Sequence, residues 1–141
     1  MPAILSAALR LLSVVLALGI AALSLMANPT DATGGVDPGA ILSRLLFGTE
    51  AYGDKLSHGF VYGVLGLVGV LAWARSRTGL LVTLLVLLAY GGGIEILQAL
   101  GGVRSGDPLD LAANAAGLIC GGLGAWALLR FAAPRRAEVL P

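Results

Sequence analysis

Charge is scarce in this sequence. Nine lysines and arginines and eight aspartates and glutamates make up 12% of its 141 residues, and the formal net charge is +1. That excludes the basic footprint nucleic acid requires and an acidic solvating tail, so no nucleic-acid partner is expected. The single cysteine, Cys120, cannot form an intrachain disulfide. The single histidine, His58, has no second imidazole or cysteine pair to complete the usual zinc constellations. Neither Ser57 nor Ser105 has the glycine-flanked setting of a hydrolase nucleophile. A metal site of His58 with Glu95 and Asp110 is geometrically conceivable; its signal is weak, and no metal or other cofactor is expected.

Apolar residues, in contrast, make up 57% of the chain, and the mean hydropathy is +0.91, far above what the core of a soluble domain needs. A helix rising about 1.5 Å per residue crosses a bilayer core with about 20 apolar residues. Four stretches approach that length: 4–27, 56–74, 79–100 and 109–131. They use most of the chain, so the expected fold is all-α, a single polytopic membrane domain over residues 1–141 built as a four-helix bundle. The first stretch reads as an uncleaved helix rather than a signal peptide. Leu25-Met26-Ala27 puts a bulky residue where a cleavage site wants a small one, and the run from Ile4 is long. Cys120 falls inside the fourth stretch, as packing or lipid-facing bulk.

Four spans put both termini on one side. Arg10, Arg75, Arg77, Arg130, Arg135 and Arg136 share that side, against Arg44, Lys55 and Arg104 on the other. The positive-inside rule therefore predicts cytoplasmic termini, and Trp73 and Trp126, each shortly before an inner arginine, fit the headgroup level there. In the first outer loop, Asp37-Pro38 is a helix start and Gly48 a stop. Ile41, Leu42, Leu45 and Leu46 recur between them at helical spacing. This predicts a short interfacial helix, with Arg44 toward headgroups, covering whatever polar site lies beneath.

Such a site is expected, because polar residues gather at the outer ends of three spans. Asp54, His58 and Tyr62 step by four residues along one face of the second, with Lys55 beside them. Glu95 and Gln98 lie one turn apart near the end of the third, before Gly101-Gly102 and Arg104. Asp110, Asn114, Gly117 and Gly121 of the fourth fall within an arc of about 80°. Ionisable groups facing lipid are costly, so these should face each other or a wet cavity. Two G-x-x-x-G pairs, Gly59 with Gly63 and Gly117 with Gly121, allow close backbone approach. Asp107 before Pro108 reads as a helix cap and Asp54 as a cap or a site residue. Lys55 reads as a snorkelling anchor or a site residue.

These residues, Asp54-Lys55-x-x-His58 with Tyr62, Glu95-x-x-Gln98, Arg104, Asp110, Asn114 and Gly117, resemble the VanZ-like family in order and spacing over about residues 50–125. The resemblance implies a small multi-pass protein of the bacterial plasma membrane, in a family named after a member associated with resistance to the glycopeptide teicoplanin. It brings no settled activity and no safe transfer of drug resistance. It implies that Asp54, Lys55, His58, Tyr62, Glu95, Gln98, Arg104, Asp110, Asn114 and Gly117 are the family's positions in this chain.

Three functions compete on this reading. The first is binding or handling of an anionic envelope lipid or lipid-linked cell-wall precursor at the outer leaflet, with Lys55, Arg104 and protonatable His58 meeting phosphate. The second is a hydrolase or transferase on such a substrate, with His58 and Glu95 or Asp110 as acid and base. The third is a scaffold whose polar cluster fixes helix packing. A cavity among the second, third and fourth spans would separate the first two from the third.

Overall fold

The computed structural model describes residues 2–26, 29–102 and 107–131. Arg104 and the tail arginines Arg135 and Arg136 lie outside the described residues. Within them the chain is helical: α1 Ala3–Ser24, a short 3₁₀ helix Pro29–Thr33, α2 Pro38–Phe47, α3 Gly53–Trp73, α4 Arg77–Gly101 and α5 Pro108–Phe131. Of these, α1, α3, α4 and α5 are long and apolar enough to cross a membrane. Large apolar side chains point outward along all four, for example Leu18, Phe60, Leu85 and Leu123. Water tolerates so continuous an apolar surface poorly, whereas hydrocarbon takes it as solvent.

The elements begin and end where local chemistry dictates. Asp37 accepts the Ala40 N–H at 3.0 Å, Pro38 opens α2, and Gly48, with φ 71°, closes it in the left-handed conformation. Ser76 caps α4 by accepting the Gly79 N–H at 3.0 Å, and Gly102 ends it with φ 64°. The second span begins at Gly53, three residues earlier than the hydropathy run. Asp54 is therefore not a cap: Tyr52 holds that position without a side-chain bond, and Asp54 sits in the first turn, where its charge still suits the helix N-terminus.

The central pair is α3 and α5, which make the most extensive contact in the bundle. A Cβ on Gly117 would land on the Gly59 carbonyl, and one on Gly121 on the Gly63 carbonyl, so both G-x-x-x-G pairs meet in one seam. Gly66 extends it, since a Cβ there would lie 2.7 Å from the Leu118 carbonyl oxygen. Tyr62, Leu65, Ile94, Leu118 and Ile20 pack together in the middle of the bundle. Val70, Ala74, Leu80 and Ala125 form a second core toward the other end.

Helix α1 is more peripheral. Its bundle-facing stripe is Ser13, Ala17, Ile20 and Ser24, and polar ties hold it at three depths. Trp73 Nε1 donates to Ser13 Oγ at 3.0 Å, the Tyr90 hydroxyl donates to the Ala17 carbonyl, and Gln98 Nε2 donates to the Ser24 carbonyl at 2.7 Å. Helix α2 is joined to the start of α3 by two glycines: a Cβ on Gly53 would lie 2.7 Å from Ala40 N, and one on Gly39 would overlap the Gly53 carbonyl. Ser43 Oγ completes the joint, donating to the Thr49 carbonyl at 2.7 Å and accepting the Tyr52 N–H at 3.2 Å. Arg44, expected toward headgroups, is exposed and paired with Glu50.

Candidate functional site

The glycine seam brings the first turns of α3 and α5 together, and their polar residues form one cluster. Lys55 is its hub. Its Nζ lies 2.6 Å from Asp107 Oδ2, 2.6 Å from Asp110 Oδ1 and 3.5 Å from Asp54 Oδ2. Rather than snorkelling outward, the lysine stem folds across the helix interface onto three carboxylates. Asp107 is both cap and ion-pair partner: Oδ1 accepts the Leu109 N–H at 2.9 Å while Oδ2 meets Lys55. The Lys55 hydrogen bond, helped by that N–H, holds the Asp107 carboxyl below the usual carboxylate range.

His58 stands one turn deeper. Its Nδ1 lies 3.0 Å from Asn114 Oδ1, and an amide oxygen only accepts, so Nδ1 carries a proton. Its Nε2 faces Asp54 Oδ1 at 3.8 Å and Asp110 Oδ2 at 3.9 Å. Asp54 and Asp110 thus each direct one oxygen to Lys55 and the other to His58. Asp110 and Asn114 are buried, at 6% and 1% exposure, so the inner half of the cluster is screened from solvent. Asn114 Nδ2, also buried, has no hydrogen-bond partner among the described residues.

Other expected residues go elsewhere. Tyr62, one turn below His58, is buried against Gly91 of α4, where a Cβ would come within 2.9 Å of its ring. Glu95 is half-buried on α4, within electrostatic reach of the Tyr62 phenol. It does not belong to the group formed by Asp54, His58 and Asp110, whose ring nitrogen and carboxylate oxygens lie within 4.8 Å of one another. Gln98 is buried and bonded to α1. Gly117 serves the seam. Cys120 is exposed on the outside of α5.

A cavity of about 550 Å³ adjoins the cluster, on a different side from the one expected. The seam closes the space between α3 and α5. The cavity lies across α3 instead, bounded by the end of α1, the 29–37 segment, α2 and the first turns of α3. Asp54, Ser57 and His58 form its polar wall, and Ile20, Leu23, Val36, Leu42, Phe60 and Val61 contribute apolar surface. Asp107 was the site residue that sequence reasoning assigned to capping alone. The signal available was charge: at one depth, one lysine faced three aspartates.

Compared with known families, curated proteins and solved structures, the chain finds no match.

Proposed function

We propose that this chain is a multi-pass protein of the bacterial plasma membrane, VanZ-like in kind, that holds an envelope lipid or lipid-linked cell-wall precursor in the cavity beside α3. The observation that carries the reading is the pairing of apolar and polar walls in one cavity: hydrocarbon packs against Leu23, Leu42 and Val61, while Asp54, Ser57 and His58 meet a polar head. The cluster lies at the outer side in this proposal, with the termini in the cytoplasm. Arg10 and Arg130 support it, each stacked on a tryptophan at the opposite end, Trp73 and Trp126. The exposed Ile41, Leu45, Leu46 and Phe47 of α2 suit a helix lying in the interface, with the cavity beneath it.

Charge limits how an anionic head is received. Asp54, Asp107 and Asp110 already engage Lys55, so phosphate needs further positive charge, from protonated His58, from Arg104 or from a bound cation. A second reading, a hydrolase or transferase, is favoured by the imidazole itself. Asn114 orients His58 as a general base is oriented, and Nε2 faces the carboxylates that would stabilise its protonated form.

The test is mass spectrometry of lipids that co-purify with the protein in mild detergent. A phosphate-bearing lipid enriched over the bulk membrane, and reduced in His58→Ala, is the expected result. Bulk composition in both proteins overturns the binding reading.

A further inference from the structure

The geometry points to a divalent transition-metal site formed by His58 Nε2, Asp54 and Asp110, with zinc the best-fitting ion. It stands independently of what occupies the cavity. One ligand atom from each of the three side chains lies within 4.8 Å of the others, and Nε2 is 3.8 and 3.9 Å from the facing carboxylate oxygens. Those separations are too long for hydrogen bonds. Tetrahedral ligands at about 2.0–2.2 Å from zinc stand about 3.4 Å apart, so the site closes on an ion with shifts below about 1 Å. One imidazole with two carboxylates leaves at least one coordination position for water or a ligand oxygen.

The surroundings carry the inference further than an acidic cluster would. A ligating histidine ordinarily donates its other ring N–H to an acceptor, and ligating carboxylates are themselves hydrogen-bonded. The first condition is met, and Lys55 holds the two carboxylates by ion pairs. Asn114 Oδ1 accepts from His58 Nδ1, which presents the Nε2 lone pair to the carboxylates. Lys55 holds Asp110 Oδ1 and Asp54 Oδ2, leaving Asp110 Oδ2 and Asp54 Oδ1 directed at His58.

Asn114 supplies a second observation that points to a ligand. It is 1% exposed, one turn along α5 from Asp110, and its Nδ2 is a donor with no partner among the described residues. A buried orphan donor is costly, and the oxygen of a water or ligand brought in with the ion would supply an acceptor. His58 and Asp54 also line the cavity, so the open position on the ion is accessible from there.

The experiment uses the full chain, freed of any histidine tag and stripped with chelator, titrated in detergent with zinc, manganese, magnesium and calcium. One equivalent of zinc should bind, manganese more weakly, and magnesium and calcium at least 100-fold more weakly. His58→Ala and Asp110→Asn should each lose at least 100-fold in zinc affinity. Asn114→Ala should lose about 10–100-fold while keeping the stoichiometry, as expected for a residue that orients a ligand. Zinc-edge absorption spectroscopy should show one imidazole with oxygen donors and no sulfur, which separates this site from adventitious binding at Cys120. Zinc should also raise the melting temperature of the wild-type protein, a readout that holds if a variant does not fold. Wild-type protein binding well under 0.2 equivalents, or a folded His58→Ala binding as wild type does, overturns the site.

Discussion

Lys55 Nζ lies 2.6 Å from Asp110 Oδ1, joining the first turn of α3 to the first turn of α5 in a contact that is 8% exposed on the aspartate side. The same ammonium reaches Asp107 and Asp54, so one cation serves three carboxylates. Removing it leaves like charges pressed together where water reaches only part of the cluster.

Lys55→Met should therefore destabilise the folded protein by about 1–3 kcal/mol, below the range for fully buried pairs because the lysine retains some solvent screening. Adding Asp110→Leu should restore at least half of the loss, since it removes the carboxylate that most needs the cation. Thermal unfolding in detergent of the two single variants and the double variant measures this. Strictly additive losses would show that the two residues are not coupled.

The glycine seam makes a separate prediction. Gly117→Ala and Gly121→Ala each place a methyl group on a facing backbone carbonyl, and relieving that overlap moves two helices apart. Each should cost about 1–3 kcal/mol. Gly124→Ala meets nothing within 4 Å and should be neutral or stabilising by up to about 1 kcal/mol through helix propensity. Equal effects at all three positions, read as unfolding midpoints, would contradict the seam.

The seam was legible in the sequence because G-x-x-x-G states its own geometry, and α2 because Asp37-Pro38 and Gly48 mark its ends. Single-face spacing likewise brought Asp54 and His58 together, and Asp110 with Asn114. Other features depend on which helix lies beside which. Gln98 turns to the Ser24 carbonyl because α1 packs there, and nothing in the periodicity of α4 names that neighbour. Asp107 was read through one oxygen, the cap, while the other carries the ion pair. The cavity lies on the α1 side of α3 for the same reason: spacing showed that α3 and α5 could approach, but not that their contact would exclude a cavity and leave room across α3.

Orientation is open to direct labelling. In a Cys120→Ala background, Thr33→Cys should react with a membrane-impermeant maleimide added to intact cells, and Arg77→Cys should react only after permeabilisation. Trp73, stacked with Arg10 near the start of α4, places Arg77 at the proposed cytoplasmic level. External labelling of position 77 would invert the topology and move the polar cluster to the inner leaflet.

The most direct test of the central claim, that the cavity beside α3 holds an envelope lipid, is to fill it. Val61 lines the cavity, and Val82 is exposed on α4 away from it. Native mass spectrometry of wild type, Val61→Trp and Val82→Trp, each purified from membranes in the same detergent, should find the bound lipid in wild type and Val82→Trp and its loss from Val61→Trp. Retention of the same lipid by folded Val61→Trp, or equal loss from both tryptophan variants, would contradict the account.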